Sequence, residues 1–360
     1  MIGASKSDIE TPALLIDLDL MDANIRKMSE YFTSKKSKLR AHVKTHKCPA
    51  IAHKQIKAGS RGICCQKLGE AEIMVDSGVK DVLITNEIVE LKKIERLVRL
   101  NEYADVKVAV DDLRVAHNMA EIARSRNVKL GVVVEIDIRN KRCGTRPGKP
   151  TLELTKEICR MSGLEFRGLM AYEGPFLDVP AYDERKMRAP MLLRLLVETV
   201  EMIESEGISV EIVSGGSTGT YNITGEFPRI SEVEAGSYVF MDSTYRRLDG
   251  LGFDCSLSVL STVISRPISD RLIVDAGWKA ATPEMGLPEV KGVEGAKLYH
   301  QSEEHGMIAV DPANRLQVGD KIELIPSHCC TTVNLHDSFY GIRNNIVEVV
   351  WPIAARGKSQ

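Results

Sequence analysis

Two short stretches of this chain carry side chains whose types and spacing suit chemistry. Near the C-terminus, Ser327-His328-Cys329-Cys330-Thr331-Thr332 sets an imidazole and two thiols side by side. Early in the chain, Arg40-Ala41-His42-Val43-Lys44-Thr45-His46-Lys47-Cys48-Pro49 sets an amine between two histidines. Cationic neighbours lower the pKa of a lysine, which favours the free amine that captures a carbonyl cofactor as a Schiff base. Read alone, that stretch is first a polar loop with a solvated lysine. His328 and Cys330 are two residues apart, so on a strand both side chains project from one face and Cys329 points into packing. Imidazole plus thiolate suits zinc, or manganese if oxygen ligands complete the shell. The plainer alternative is a buried cysteine pair beside an ordinary histidine. Two protein ligands would leave positions open for water or substrate, as catalysis requires.

A third stretch, Ser214-Gly215-Gly216-Ser217-Thr218-Gly219-Thr220, combines glycines with hydroxyls, a pattern that lets backbone N–H groups and side chains converge on phosphate oxygens. Ala235-Gly236-Ser237-Tyr238 is the expected second half of that site. No Gly-rich loop ends in Lys-Ser or Lys-Thr, so a small phosphorylated cofactor fits better than a nucleoside triphosphate. Gln66 follows another strand candidate. Arg142 and Tyr172 are placed to meet a cofactor ring, Arg142 at its phenolate oxygen and Tyr172 at its nitrogen or face. Glu135, Asp137 and Glu173 read as ordinary strand-end charges. His305 and the pair His336-Asp337 are further candidates of lower weight.

The elements that must hold these residues follow a regular alternation. Strands are expected over Leu39–Lys44, Gly62–Cys65, Asp81–Thr85, Val106–Val110, Leu130–Ile136, Phe166–Ala171, Val210–Ser214 and Val233–Phe240. Helical patterns such as Leu68–Asp76, Leu113–Arg126, Leu152–Met161 and Met187–Glu206 lie between them. Val- and Ile-rich strands alternating with helices predict a parallel sheet closed into a (β/α)8 TIM-type barrel, with an open doubly wound sheet as the competing fold. Lys44, Gln66, Tyr172 and Ser214 all follow strand candidates, on the face where barrels build active sites. After about Tyr245 the pattern becomes short and β-rich, over Ser256–Ile264, Arg271–Asp275, Met307–Val310, Lys321–Ile325 and Ile346–Val350. An α/β fold results, with a barrel over residues 12–245 and an all-β C-terminal domain over 246–360 that residues 1–11 join.

Composition narrows the class. Hydrophobic content of 43% with 27% charge is that of a folded globular chain, and a net charge of −2 offers no footprint for nucleic acid or an anionic membrane. No apolar run approaches the roughly 20 residues that span a bilayer, and Met1–Glu10 lacks the apolar core of a secretion signal, so the expected location is cytoplasmic. Thiols in such a compartment are core filler, ligands or nucleophiles. Cys48, Cys143, Cys159 and Cys255 are expected as core filler.

Taken together, these stretches resemble the D-threonine aldolase family within the alanine-racemase-like, fold type III pyridoxal-phosphate enzymes. The resemblance runs through His42–Pro49, Gly62-Ile63-Cys64-Cys65-Gln66-Lys67, Thr85-Asn86-Glu87, Arg142-Cys143-Gly144, Ala171-Tyr172, Gly236-Ser237-Tyr238, Phe240-Met241-Asp242 and Pro326-Ser327-His328, among others, and covers nearly the whole chain. It implies pyridoxal 5'-phosphate on Lys44 as the Schiff-base lysine, a divalent metal on His328 and Cys330, and a phosphate site in the Gly/Ser/Thr loop with Gly236 to Tyr238. It also implies a homodimer that cleaves a D-3-hydroxy amino acid, D-threonine giving glycine and acetaldehyde. Family aldolases often carry Asp where Cys330 stands, whereas the related D-serine dehydratase-like enzymes carry Cys, and Trp278 points the same way. Ser217 replaces a usual glycine, and Glu173-Gly174-Pro175 is unusual. The alternative implied is therefore a D-3-hydroxy-amino-acid dehydratase, giving a keto acid and ammonia.

Overall fold

The computed structural model describes residues 1–174 and 176–360, so Pro175 of the Glu173-Gly174-Pro175 stretch lies outside the described residues. The strands in chain order are β1 (Ala13–Asp17), β2 (Lys38–Leu39), β3 (Ala41–His42), β4 (Ile63–Cys65), β5 (Asp81–Glu87), β6 (Asp105–Val110), β7 (Leu130–Ile136), β8 (Leu164–Ala171), β9 (Ile212–Gly215) and β10 (Glu232–Val233). They continue as β11 (Leu257–Ile268), β12 (Arg271–Val274), β13 (Glu289–Lys291), β14 (Lys297–Gln301), β15 (Gly306–Ala309), β16 (Lys321–Ile325), β17 (Ser338–Arg343) and β18 (Ile346–Pro352). The helices are α1 (Leu18–Thr33), α2 (Pro49–Lys57), α3 (Leu68–Asp76), α4 (Leu91–Leu100), α5 (Leu113–Ser125), α6 (Lys149–Arg160), α7 (Tyr182–Ser205), α8 (Tyr221–Thr224) and α9 (Cys329–Val333).

One compact unit comprises Lys27–Lys44, Pro49–Gly236 and Lys358–Gln360. Its sheet is parallel, in the order β2-β10-β9-β8-β7-β6-β5-β4-β3. Only Arg40 separates β2 from β3, and its N–H donates to Val233 O at 2.9 Å, so the two short pieces join the ends of the order into a barrel. The single strand expected over Leu39–Lys44 is broken because the chain crosses there from pairing with β10 to pairing with β4. The strand expected over Val233–Phe240 also stops early, giving way to a 3-10 turn over Ser237–Val239. Strands between helices are buried on both faces, and β7, Leu-Gly-Val-Val-Val-Glu-Ile, is buried throughout. Alternate positions supply one inner layer: Cys64, Leu83, Ala109, Val133, Met170 and Ile212, one from each of six consecutive strands. Helix α4 buries Ile94, Leu97 and Val98 at helical spacing, and Asp112 caps α5 by accepting the Val115 N–H. Cys48 is buried, but Cys159 is exposed on α6, which leaves its thiol outside the core expected for it.

The starts of the strands are tied by ions. The fully buried Arg40 donates to Glu232 through Nε (2.6 Å) and to Asp81 through Nη1 (2.6 Å). Lys107 reaches Asp81 at 2.9 Å. The Arg40 and Lys107 charges hold the Asp81 carboxyl below its usual range although burial pushes it up.

The other unit comprises Met1–Arg26, Thr45–Cys48 and Ser237–Gly357. Its sheet runs β14-β15-β12-β11-β1-β17-β18, with β16 pairing both β11 and β13. Strand β1 enters it antiparallel to β11 and parallel to β17. Ile9, Ala13, Leu15, Leu260, Ile342 and Val347 form a core cluster of this unit. Among the described residues, no helix is long and apolar enough to cross a membrane.

Candidate active site

In the barrel unit, the sequence-expected residues stand at strand ends. Lys44 follows β3 in a 3-10 turn over Val43–Thr45, half-buried, and its N–H points at His42 Nδ1 (3.4 Å). His42 Nε2 meets Thr85 Oγ1 at 3.1 Å, and Gln66 Nε2 donates to Thr85 O at 3.0 Å, linking the ends of β3, β4 and β5. Ser214 Oγ, at the end of β9, donates to Glu234 at 2.6 Å. Burial pushes the Glu234 carboxyl up to about 7, against the Ser214 hydrogen bond and the charge of Lys44. Arg142 and Tyr172 come together, the guanidinium carbon lying 5.2 Å from the ring centroid, a cation–π distance.

The Ser214–Thr220 loop turns on Gly216, whose φ is +84° and where a Cβ would lie 2.9 Å from Val233 Cγ1. Glu173 anchors it from the protein side. That buried carboxylate accepts from Gly216 N–H (3.0 Å), Thr220 Oγ1 (2.7 Å) and Thr224 Oγ1 (2.6 Å). Burial raises its pKa, and the same three hydrogen bonds oppose the rise. Ser217 N–H is taken by Thr220 Oγ1 at 3.1 Å, and Gly219 O accepts from the fully buried Arg185 at 3.1 Å. Ser217 and Thr218 are buried within the loop, and Gly236 closes this unit after β10.

In the β-rich unit, His328 and Cys330 do not lie on a strand. Strand β16 ends at Ile325, His328 has extended backbone, and Cys329 opens helix α9. The buried Asp242 causes the turn: its Oδ2 accepts Cys329 N–H at 3.0 Å, while Oδ1 accepts the amides of Thr244 and Tyr245. The expected alternation of faces therefore fails, yet His328 and Cys330 still meet, because a residue in the first helical turn folds back toward its cap. Cys329 is buried, as expected. Thr45 Oγ1 lies 3.4 Å from Cys330 Sγ, and Glu284 contacts His328 Nδ1. Burial lowers the His328 pKa, but Cys330 and Glu284 outweigh it and push the imidazole up to about 9. Ser237 and Tyr238 start the 3-10 turn of this unit, with the Tyr238 ring buried against Phe253 at 5.8 Å.

Two family models match the chain: the alanine racemase N-terminal domain over residues 16–244, and the putative serine dehydratase domain over residues 256–342. A 3-hydroxy-D-aspartate aldolase of Paracoccus denitrificans is 38% identical over 99% of this chain and 94% of that protein. The chain belongs to the D-threonine aldolase family. Like its relatives it is a pyridoxal-phosphate-dependent lyase on the alanine-racemase fold. The crystal structure of D-threonine aldolase from Filomicrobium marinum superposes with a TM-score of 0.97 at 37% identity, covering 99% of this chain and 98% of that one. A more distant likeness is D-threo-3-hydroxyaspartate dehydratase from Delftia, with a TM-score of 0.88 and 28% identity over 97% of this chain and 98% of that one. Solved forms of that dehydratase include a His→Ala variant and a metal-free Cys→Ala variant.

Sequence reasoning missed the carboxyls of this enzyme. Glu173 and Glu135 read as strand-end charges, whereas Glu173 organises the Gly/Ser/Thr loop and Glu135 pairs with Arg142. Asp242 and Glu284 carried no motif of their own. Asp242 was visible only as part of Phe240-Met241-Asp242, and Glu284 stands 44 residues from the histidine it meets.

Proposed function

We propose that this lyase cleaves D-3-hydroxy amino acids between Cα and Cβ, D-threonine giving glycine and acetaldehyde, with a divalent ion held by His328 and Cys330. The observation that carries the metal is Glu284 on His328 Nδ1, which leaves Nε2 for a cation and matches the outer carboxylate that orients ligating histidines. Among the described residues no group of three or more His, Cys, Asp or Glu is arranged to hold a metal ion. A site made of the His328 and Cys330 pair would keep positions for water and substrate, with zinc or manganese as candidates. The dehydratase variants at one His and one Cys, one of them metal-free, support the same assignment by likeness.

The barrel residues fit a phosphorylated ring. Gly216 leaves a cradle that a Cβ would fill, and the loop carries Ser214, Ser217 and Thr218. Pyridoxal phosphate supplies an electron sink for the charge left on Cα when the Cα–Cβ bond breaks. Lys44 would provide the attaching amine, Gln66 and Arg142 would flank the ring, and Tyr172 would meet its nitrogen or face. Gly219, Gly236, Ser237 and Tyr238 complete the proposed phosphate contacts. His328 and Cys330 would hold the cation, which would supply Lewis acidity that makes the substrate 3-hydroxyl easier to deprotonate at neutral pH. A homodimer is the assembly proposed from the family resemblance, and sedimentation of the holoenzyme tests it.

The dehydratase alternative uses Lys44 to remove the Cα proton and expels the 3-hydroxyl. Higher identity to named aldolases favours cleavage. Incubation with D-threonine, with and without added divalent metal, decides: acetaldehyde is expected, and 2-oxobutanoate without acetaldehyde overturns the proposal. Parallel assays with 3-hydroxy-D-aspartate, read as glyoxylate against oxaloacetate, repeat that decision, and the rate of glyoxylate release against acetaldehyde release ranks the two side chains.

A further inference from the structure

Arg142 ends an excursion of the chain that is fastened at its base. Asp137 N–H donates to Thr145 O, and Thr145 N–H donates to Glu135 O, both at 2.9 Å. Gly144 N–H donates to Asp111 Oδ2 at 2.9 Å. A Cβ at Gly144, where φ is +108°, would lie 2.5 Å from Asp137 N, so the loop closes this tightly only with glycine. The base is rigid, but a long arginine side chain still needs a partner to aim it. Glu135 is that partner: Arg142 Nη2 lies 3.1 Å from Glu135 Oε1.

Glu135 is unusual for an ion-pair partner. It is 2% exposed, and its other oxygen, Oε2, is buried without a hydrogen-bond partner. Oε1 of Glu87, at the end of β5, is buried and unpartnered in the same way. The two side chains face each other, with Glu87 the main neighbour acting on Glu135. As two anions they repel and strand two buried acceptors, each a costly state. One proton between them removes both penalties and leaves a single negative charge opposite the guanidinium. Burial and Glu87 push the Glu135 carboxyl up to about 8, with Arg142 pulling the other way. The other titratable groups around the pair are Asp111 after β6, Cys143 on the loop and, beyond Arg142, Tyr172 after β8.

We propose that Glu135, backed by Glu87 through one shared proton, is a positioning residue that aims Arg142 across the Tyr172 ring. The inference rests on the reading of Arg142 and Tyr172 as contacts of the cofactor ring. A guanidinium held by one net negative charge stays over Tyr172, whereas an unbacked carboxylate pair draws it down between the strand ends.

The test uses the holoenzyme, with the absorbance of bound pyridoxal phosphate as a readout beside turnover. Glu135→Gln is expected to keep the cofactor, shift its visible band and lower kcat about 10- to 100-fold with KM little changed, the penalty of a misaimed group. In an Arg142→Ala background the same substitution adds nothing, because its partner is gone. Glu87→Gln donates an amide N–H to Glu135 and keeps it ionised, so a spectral titration step near pH 8 in the wild type disappears. An unchanged band and kcat in Glu135→Gln, or effects that add in the double variant, overturn the proposal. If Glu135→Gln does not fold, Glu87→Gln decides, and an unaltered titration overturns it. A visible band that survives Lys44→Ala in the otherwise unaltered enzyme would instead overturn the reading of the cofactor site.

Discussion

Removing the Glu173 carboxylate isolates what the Gly/Ser/Thr loop needs for the phosphate site proposed for it. Glu173→Ala takes one acceptor from three donors, Gly216 N–H, Thr220 Oγ1 and Thr224 Oγ1. The two hydroxyls can turn elsewhere, Thr220 toward Ser217 Oγ at 3.2 Å and Thr224 toward a carbonyl of its own helix. The Gly216 amide is fixed by the backbone and has no such freedom. One orphaned buried amide and two weakened hydroxyls cost about 2–4 kcal/mol. That is less than the roughly 5–15 kcal/mol holding a domain together, so the loop loosens while the barrel stays folded. If cofactor binding must restore the order, affinity falls about 30- to 1000-fold at 1.4 kcal/mol per decade. Glu173→Gln behaves differently. Its carbonyl takes the Gly216 N–H and its amide donates to the two hydroxyl oxygens, so affinity changes less than about fivefold. Fluorescence titration of the apoenzyme with pyridoxal phosphate, beside a melting curve, gives both numbers. An alanine variant that binds within threefold of wild type would refute the reasoning. So would a glutamine variant as weak as alanine, which would place the effect in the charge rather than in the hydrogen bonds.

Lys44→Ala is expected to abolish the visible absorbance of the bound cofactor, and survival of that band would remove the lysine from its role. His328→Ala and Cys330→Ala are expected to keep the band and lose the activity that divalent metal restores to chelated wild type; metal-independent activity in either would dismiss the pair as ligands. At the strand starts, Glu232→Ala leaves Arg40 buried with Asp81 as its remaining partner, at a cost of about 3–5 kcal/mol in urea unfolding. The pair replacement Arg40→Met with Glu232→Leu is expected to cost less than that single change. In the β-rich unit, hydrogen bonds from Lys291 and Lys6 pull the Glu323 carboxyl down to about 2 although burial raises it. Its folded pKa lies below the unfolded value, so its stabilisation is complete above about pH 4.5 and is lost as pH falls through about 2. The difference is roughly 3 kcal/mol, and Glu323→Gln should flatten that part of a melting-against-pH curve.

The barrel was legible because its strands are buried on both faces and its helices on one, which leaves a period in the sequence. Asp81–Thr85, Leu130–Ile136 and Leu68–Asp76 fall within a few residues of the observed elements. The breaks were not legible. The crossing at Arg40 depends on Val233, nearly two hundred residues away in the chain, and no local pattern encodes that pairing. The helical turn after His328 likewise depends on Asp242, which captures an amide that an extended chain would have offered to a neighbouring strand. Residue types drew attention to Lys44, His328 and Cys330, since Lys, Cys and His at strand ends are few. They carried the carboxyls poorly, since Glu is common at strand ends and its role is set by what it is buried against.

That burial gives the two ends of the barrel opposite electrostatics from the same cause. Desolvation raises every buried carboxyl, and the outcome depends on the cations supplied with it. At the strand starts Arg40 and Lys107 overrule it, and Asp81 ends below its usual range. At the strand finishes Glu135, Glu173 and Glu234 are all raised, because burial outweighs the charges of Arg142, Lys44 and Arg40 and the neutral donors around them. A fold selected for stability alone would have no reason to keep that imbalance, since buried ionisable groups held off their ordinary pKa cost free energy. Keeping it at the end that carries Lys44 and Arg142 makes sense if those acids hold amine, guanidinium and loop in place before a ligand arrives. The chain thus spends its paired charges where the barrel must only close, and leaves its unmatched ones at the end that carries Lys44 and Arg142.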